Sequence, residues 1–211
     1  MRHGGAHPLF ARLYHALSGA AERAGTTEHR RELLGGLRGR VVEVGAGNGL
    51  NFAHYPPGVT DVLAVEPDPF LRKKAALAAA RAPVPVRVVD GDAEALPAHD
   101  AEFDAAVASL VLCSVASPPR ALAELRRVLR PGGELRFYEH VRGDDPATAR
   151  LQDRADRVWP LVGGGCHPNR DTVAAVAAAG FALEEVRRFR FRPTSLAAPV
   201  APHVIGRARR T

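Results

Sequence analysis

The amino-acid sequence predicts an α/β fold: a Rossmann-like doubly wound sheet, mostly parallel, with an antiparallel strand at its C-terminal end. Short apolar runs typical of buried strands alternate with helical patterns between residues 41 and 138, and parallel βαβ units require this alternation. A glycine-rich turn follows the first of these runs directly. Two further strand patterns, near 181–189 and 203–207, come after the alternation ends, and we expect them to close the sheet.

Local patterns set the boundaries of the elements. Phe10, Leu13, Tyr14 and Leu17 recur at i, i+3, i+4 and i+7 in a helical segment over 8–34, which indicates one apolar stripe. We expect this helix to pack over a ligand site as a lid, and contact with a membrane surface is the alternative. The other expected strands are 41–44, 61–65, 86–89, 103–109 and 135–138. The other expected helices are 49–54, 67–81, 119–129, 146–160 and 169–179, with Asn169 as a candidate N-cap.

Length and composition indicate one folded domain. The 211 residues are enough for a sizeable core, and 46% apolar residues argue against disorder. We divide the chain into an N-terminal helical lid segment, 1–39, and a ligand-binding domain, 40–211. No apolar run follows Met1, so we expect neither a signal peptide nor a membrane span.

The distribution of charge and the cysteine content bear on whether the protein binds nucleic acid or a metal. The net charge is +6, but Lys73 and Lys74 are the only lysines and the arginines are scattered along the sequence, so we expect no nucleic-acid partner. Cys113 and Cys166 match no zinc-binding spacing. We therefore expect no metal, and we predict a reducing, cytoplasmic setting.

The turn after the first strand carries the first ligand signal. It reads Gly45-Ala46-Gly47-Asn48-Gly49, and Glu66 ends the next strand about 20 residues later. Glycines let the backbone approach a ligand closely, and an acid at that position can accept both hydroxyls of a ribose. The pattern therefore predicts an adenosine-type cofactor.

The spacing of the glycines separates two classes of cofactor. A dinucleotide needs a third glycine one residue later than Gly49, because its pyrophosphate rests on the helix behind that residue. Glu43, two residues before Gly45, completes an E-x-G-x-G-x-G pattern, which resembles the first motif of class I S-adenosylmethionine (SAM) methyltransferases. A NAD-type cofactor and a turn that binds no ligand are the alternatives for this loop by itself.

In open α/β sheets the ligand lies across the carboxyl ends of the strands. Asp92 follows the third strand, where its carboxylate can accept the adenine amine; a turn aspartate bonded to its own backbone is the alternative. His140 ends the fifth strand, as a candidate general base or as a residue that orients its loop. The predicted cofactor-binding residues are Glu43, Gly45, Ala46, Gly47, Asn48, Gly49, Glu66, Pro67, Asp92, Ala93, Ser109 and Leu110.

Later segments carry a more specific pattern. They include Leu-Val-Leu-Cys-Ser-Val at 110–115, Arg-Val-Leu-Arg-Pro-Gly-Gly at 127–133, Glu-His-Val at 139–141, the loop at 165–166, and Pro-His-Val-Ile-Gly at 202–206. This set resembles the methyltransferase-like thiol S-methyltransferases and their bacterial relatives. The resemblance implies the class I methyltransferase fold, SAM as cofactor and a small-molecule acceptor, with a thiol as the best single candidate.

Two other functions stay open from the sequence. One is N- or O-methylation of a lipid head group or natural product, and the other is a SAM-binding regulatory protein without turnover. Cys113 is expected to be a small buried residue. Cys166 and His167 are expected to border the acceptor pocket or simply to lead into a helix, and Trp159 to wall that pocket or belong to the core.

Overall fold

Seven strands form one sheet in the order β3-β2-β1-β4-β5-β7-β6. The computed structural model describes residues 8–192 and 195–211, so residues 1–7 of the predicted lid segment lie outside the described part. The strands are β1 (Gly39–Val44), β2 (Val59–Val65), β3 (Val86–Val89), β4 (Phe103–Ser109), β5 (Leu129–His140), β6 (Phe181–Arg190) and β7 (Pro202–Arg210).

The sheet is parallel except for its last strand in sequence. The pairs β1–β2, β1–β4, β2–β3 and β4–β5 are parallel, whereas β7 is antiparallel to both β5 and β6. The strand order reverses between β1 and β4, and ligands of doubly wound folds bind at that switch point. The predicted fold class is confirmed.

Helices cover both faces of the sheet. Val41 and Val42 of β1 point to opposite sides, as strand geometry requires; Val41 packs with Leu34 and Ala75, and Val42 packs with Leu122. The helices are α1 (Pro8–Ala21), α2 (Thr27–Leu34), α3 (Pro69–Ala79), α4 (Pro118–Val128), α5 (Pro146–Ala155), α6 (Trp159–Val162) and α7 (Thr172–Ala178).

The N-terminal helical segment differs from its prediction in two ways. A π-helical turn, Glu22–Thr26, separates α1 from α2, because Gly25 adopts a φ of 123°. Leu13 and Leu17 are 54% and 58% exposed, while Ala11 and Ser18 are buried. The predicted apolar stripe is therefore wrong for the two leucines. Small residues face inward because α1 packs directly against the glycine-rich loop, where Ser18 is hydrogen-bonded.

Three predicted helices change their bounds. The helix expected over 49–54 is a single 3₁₀ turn, Phe52–His54, because Tyr55 precedes a proline and is extended. The helix expected over 146–160 divides into α5 and α6. The N-cap of α7 is Asp171, whose carboxylate accepts from the Ala174 N–H at 3.1 Å, and not Asn169. Among the described residues, no helix has both the length and the apolarity needed to cross a bilayer.

Candidate active site

A cavity of about 640 Å³ opens along the carboxyl ends of the parallel strands. The loops after β1 to β4 and the end of β5 all contribute to its wall. Most residues predicted to bind the cofactor, and the candidate base, line it: Gly45, Gly47, Glu66, Pro67, Asp92, Ala93, Ser109, Leu110 and His140. The topology therefore brings together segments that lie far apart in sequence.

Gly45 and Gly47 leave the backbone at the wall of the cavity free of side chains. Their φ values are 59° and 58°, in the left-handed region that favours glycine. A Cβ on Gly45 would lie 2.5 Å from a methyl group of Val111, and a Cβ on Gly47 would lie 3.4 Å from the Tyr14 ring. The loop thus provides a side-chain-free surface next to Glu66.

Glu66 is buried at the end of β2 and ties two loops together. Its Oε2 accepts the Gly47 N–H at 2.7 Å, and its Oε1 accepts the Asp68 N–H at 2.8 Å. Burial raises the pKa of Glu66, an effect opposed by these two N–H donors. Each carboxylate oxygen has a second lone pair, so each can accept one further hydrogen bond, and Glu66 lines the cavity.

Four predicted cofactor residues do not line the cavity: Glu43, Ala46, Asn48 and Gly49. All four are buried and contact protein instead. Glu43 accepts the Tyr55 hydroxyl at 2.7 Å and the Asn51 amide at 2.8 Å, and burial raises the pKa of Glu43 to about 7. Asn48 donates to Ser18 Oγ at 3.0 Å, which links the loop to α1.

A buried arginine that the sequence analysis did not single out supports this loop. Arg30 of α2 donates to Glu22 at 3.0 Å, to the side-chain Oδ1 of Asn51 at 2.8 Å and to Ser109 Oγ at 3.3 Å. The guanidinium therefore joins the N-terminal helices to the loop after β1 and to the end of β4. A lone arginine on a helix gives no signal in the sequence, because its partners come from three separate segments.

Asp92 makes the contact that the sequence left as the alternative, and it also borders the cavity. Its Oδ1 accepts the Glu94 N–H at 2.9 Å, which is a turn held by its own aspartate. The side chain is exposed and lines the cavity beside Ala93. Shaping the turn does not use both carboxylate oxygens, so one remains for a ligand.

Glu139 positions the loop after β4. This fully buried carboxylate accepts the N–H groups of Val111 and Leu112 at 2.9 Å and that of Cys113 at 3.1 Å. Burial raises the pKa of Glu139, and the three N–H donors oppose that effect. As strand alternation predicts, Glu139 faces this loop, whereas the next residue, His140, lines the cavity.

The end of the cavity beside His140 is bordered by the glycine-rich loop after α6, and α1 spans the cavity from this loop to Gly47. Phe10 and Tyr14 of α1 line the cavity together with Trp159 and Cys166, and the Phe10 ring lies against Gly164. This part of the wall is mainly apolar. That α1 acts as a lid over this site stays a prediction.

Two cysteines and a histidine meet at this end. His140 Nδ1 lies 3.6 Å from Cys113 Sγ and 3.4 Å from Cys166 Sγ, and both thiols are free and buried. The spacing of the cysteines in the sequence gave no sign of this meeting. Cys113 follows β4 and Cys166 precedes α7, so only the folded sheet places them together.

Comparisons with known proteins agree with this architecture. A family model described as a methyltransferase domain matches residues 42–137. Thiol S-methyltransferase TMT1B of Rattus norvegicus is 38% identical over 174 residues, which are 80% of this chain and 69% of the rat protein. Thiol S-methyltransferase TMT1A of Homo sapiens is 34% identical over 172 residues, with the same two shares.

The chain belongs to the thiol S-methyltransferase family. It is a SAM-dependent methyltransferase, as its sequence predicted. A solved SAM-dependent methyltransferase from Mesorhizobium loti has a TM-score of 0.63 at 22% identity, and the match covers 87% of this chain and 96% of that one. At that identity the likeness concerns the fold, which this methyltransferase shares.

Proposed function

We propose that this methyltransferase transfers the methyl group of SAM to the sulfur of a small-molecule thiol that binds beside His140. The single observation that carries the proposal is the distribution of charge around the cavity. The acidic residues of the lining are Glu66, Asp68, Asp92 and Glu94, all at the loops after β2 and β3. The opposite end presents His140, Arg170 and apolar side chains.

The acidic end suits SAM. Glu66 has two free acceptor sites for the ribose hydroxyls, Asp92 has one for the adenine amine, and the backbone at Gly47 leaves room for the amino acid moiety. When bound, SAM supplies an electrophilic methyl group on its sulfonium sulfur. The protein's own part is to bind, align and exclude water. Tyr14 contributes to the last of these, because it covers Gly47 from above.

The opposite end suits a thiol. A thiol with a pKa near ~8.5 is already a few per cent thiolate at neutral pH, so it needs little help from a base. The Arg170 guanidinium lies at this end and donates to the carbonyls of Leu112 and Val115 at 2.9 and 2.8 Å. Its positive charge favours the thiolate form of an acceptor, and the apolar wall receives the remainder of the molecule.

The test is transfer of labelled methyl groups from SAM to alkyl and aryl thiols, with matched amines and phenols alongside. We expect product on the thiols. If His140 is the base, His140→Ala should lower turnover about 10²-fold or more while SAM still binds, whereas a loss of folding would make this histidine structural. His99→Ala, at an exposed position in a remote turn, is the matched control and should keep full activity. SAM binding without product on any acceptor would favour a regulatory protein instead.

A second candidate acceptor is an amine or hydroxyl, including that of a lipid head group. His167 lines the cavity and its Nδ1 lies 2.9 Å from Asp156 Oδ1, a contact that fixes the orientation of the imidazole as a general base requires. Leu161 is 77% exposed next to the same loop, where it could meet an acyl chain. Product confined to amines or phenols, and lost in His167→Ala, would favour this candidate.

The location of the protein in the cell does not follow from the acceptor. The reducing, cytoplasmic location inferred from two free cysteines stays a prediction. Contact of α1 with a membrane surface, through the exposed Leu13 and Leu17, stays the alternative. Salt-dependent flotation of the protein with anionic vesicles would favour membrane contact, and its absence would leave α1 as a lid only.

A further inference from the structure

Cys113, His140 and Cys166 form a compact group of potential metal ligands. Among residues 8–192 and 195–211, it is the one group of three such side chains whose donor atoms all lie within 4.8 Å of one another. The three residues come from the loop after β4, the end of β5 and the loop before α7. We name them the Cys-His-Cys cluster.

The two nitrogen–sulfur distances within the cluster match those of a tetrahedral zinc site. With Zn–S near ~2.3 Å and Zn–N near ~2.0 Å, tetrahedral angles place the nitrogen about 3.5 Å from each sulfur. The observed distances from His140 Nδ1 to the sulfurs of Cys113 and Cys166 are 3.6 and 3.4 Å. All three donor atoms lie within 4.8 Å of one another, so only small side-chain movements are needed for them to surround one cation.

The backbone around the cluster is fixed by contacts that do not depend on a metal. Glu139 accepts the Cys113 N–H at 3.1 Å, and the His167 N–H donates to the Cys113 carbonyl at 2.8 Å. The second of these bonds ties the two cysteine loops together. A site whose ligands are already positioned loses little entropy when the ion binds.

We propose that the Cys-His-Cys cluster binds Zn²⁺ and that the fourth coordination position receives the sulfur of the acceptor thiol. Two observations give the direction of that position. Cys113 is fully buried, whereas His140 and Cys166 line the cavity, so the open side of the cluster faces the acceptor. Three protein ligands with one open position are the pattern of catalytic zinc sites, and thiolates with imidazole are ligands that zinc accepts.

The acceptor part of this inference rests on the proposed thiol substrate; the metal-binding part does not. An acceptor thiol that binds the cation gives up its proton to solvent, because a coordinated thiol is deprotonated. Its sulfur then forms the new S–CH₃ bond as the bond from that methyl carbon to the sulfonium sulfur of SAM breaks, and the bonding electron pair stays on the departing sulfur. The neutral thioether product is a weaker ligand and leaves.

The charges around the cluster favour a thiolate acceptor as the third sulfur ligand. Two cysteine thiolates neutralise Zn²⁺, so a thiolate acceptor adds one negative charge. Arg170 supplies one positive charge at the same end of the cavity, held by the carbonyls of Leu112 and Val115 on either side of Cys113. In this arrangement His140 acts as a ligand through Nδ1 rather than as the base that the sequence suggested.

The test begins with metal binding in the absence of any acceptor. The 211-residue protein is purified under reducing conditions, depleted of metal by a chelator and titrated with Zn²⁺, and the bound metal is measured by elemental analysis. We expect about one zinc per chain, and at least ~100-fold weaker binding in Cys166→Ala and His140→Ala, because each removes a direct ligand. His99→Ala, which removes a histidine at an exposed position outside the cluster and the cavity wall, should keep wild-type zinc affinity.

Separate measurements report on folding and on metal ligation. Thermal unfolding of each zinc-free variant shows whether the fold is intact, and Cys166→Ala keeps the apolar character of its site. Replacement of zinc by Co²⁺ adds a spectroscopic check, since thiolate ligation gives the cobalt protein intense absorption. Wild-type zinc affinity in both ligand variants, or less than ~0.1 zinc per chain in the wild type, would overturn the site.

Activity then distinguishes this inference from the proposed function. If chelation abolishes thiol methylation and zinc restores it, both stand. If metal-free protein methylates thiols at the full rate, the zinc role is refuted and the thiol substrate stands. If zinc binds but thiols are not methylated under any condition, the thiol substrate is refuted and the metal site stands.

Discussion

Replacement of Glu66 by alanine tests the cofactor end of the site most directly. This carboxylate, which lines the cavity, accepts two protein hydrogen bonds, from the N–H groups of Gly47 and Asp68, and each oxygen can accept one more. Loss of the charge-assisted bonds to the SAM ribose should cost about 1.5–3 kcal/mol, which is roughly a 10–150-fold loss of affinity.

The same substitution should also lower stability, and the two effects can be measured apart. The Gly47 N–H is buried and would lose its acceptor, at a cost of about 1–3 kcal/mol. Urea denaturation in the absence of SAM measures that cost, and isothermal titration calorimetry with SAM, below the denaturation range, measures the affinity. Glu28→Ala is the control, because Glu28 is exposed and pairs only with Arg31 among the described side chains.

One result would refute the assignment of the ribose to Glu66. If the alanine variant is folded and binds SAM as tightly as the wild type, the free acceptor sites of Glu66 are not used by the ribose. A loss of stability with unchanged affinity would leave Glu66 as a structural link between the loops after β1 and β2. An equal loss in Glu28→Ala would indicate a non-specific effect of charge.

Three further predictions concern residues around the same loop. Because burial raises the pKa of Glu43 from 4.5 to about 7, the folded protein holds this proton more tightly than the unfolded chain. The free energy of unfolding should therefore fall by up to about 3 kcal/mol as pH rises through that interval. Urea denaturation of Glu43→Gln should show a weaker dependence of this free energy on pH. An unchanged pH dependence would contradict the raised pKa of Glu43. Gly45→Ala should destabilise the protein by about 2–3 kcal/mol through φ strain and contact with Val111. Gly36→Ala is the control, because Gly36 has a similar φ but no atom within 4 Å of the added Cβ, so it should show the strain alone. Equal midpoints of urea denaturation for the two variants would count against the contact with Val111. Asp92→Ala should weaken SAM binding up to about 10-fold by calorimetry with little change in stability, and tight binding in that variant would limit Asp92 to its turn.

Much of the fold could be predicted from local patterns. The apolar runs of β1, β3 and β4 and the proline-initiated helices α3 and α4 have strong signals, because burial and capping act on neighbouring residues. The helix predicted after Gly49 was wrong, since the proline that follows Tyr55 favours an extended residue there. The exposed Leu13 and Leu17 were also missed, because the same helical spacing describes an outward and an inward stripe.

The residues of the site also divide into those that local sequence patterns predict and those that they do not. The glycine turn, Glu66 and His140 could be found from the sequence because strand, turn and side chain are adjacent in the chain. Arg30, Glu139 and the meeting of Cys113 with Cys166 could not, because their partners are brought to them by the sheet. The sequence by itself determined the alternation of strands and helices, the cofactor class and the family of this methyltransferase. Only the tertiary structure decided which of those residues face the cavity and which support it from behind, because burial and hydrogen-bond partners across a doubly wound sheet depend on segments that no local pattern connects.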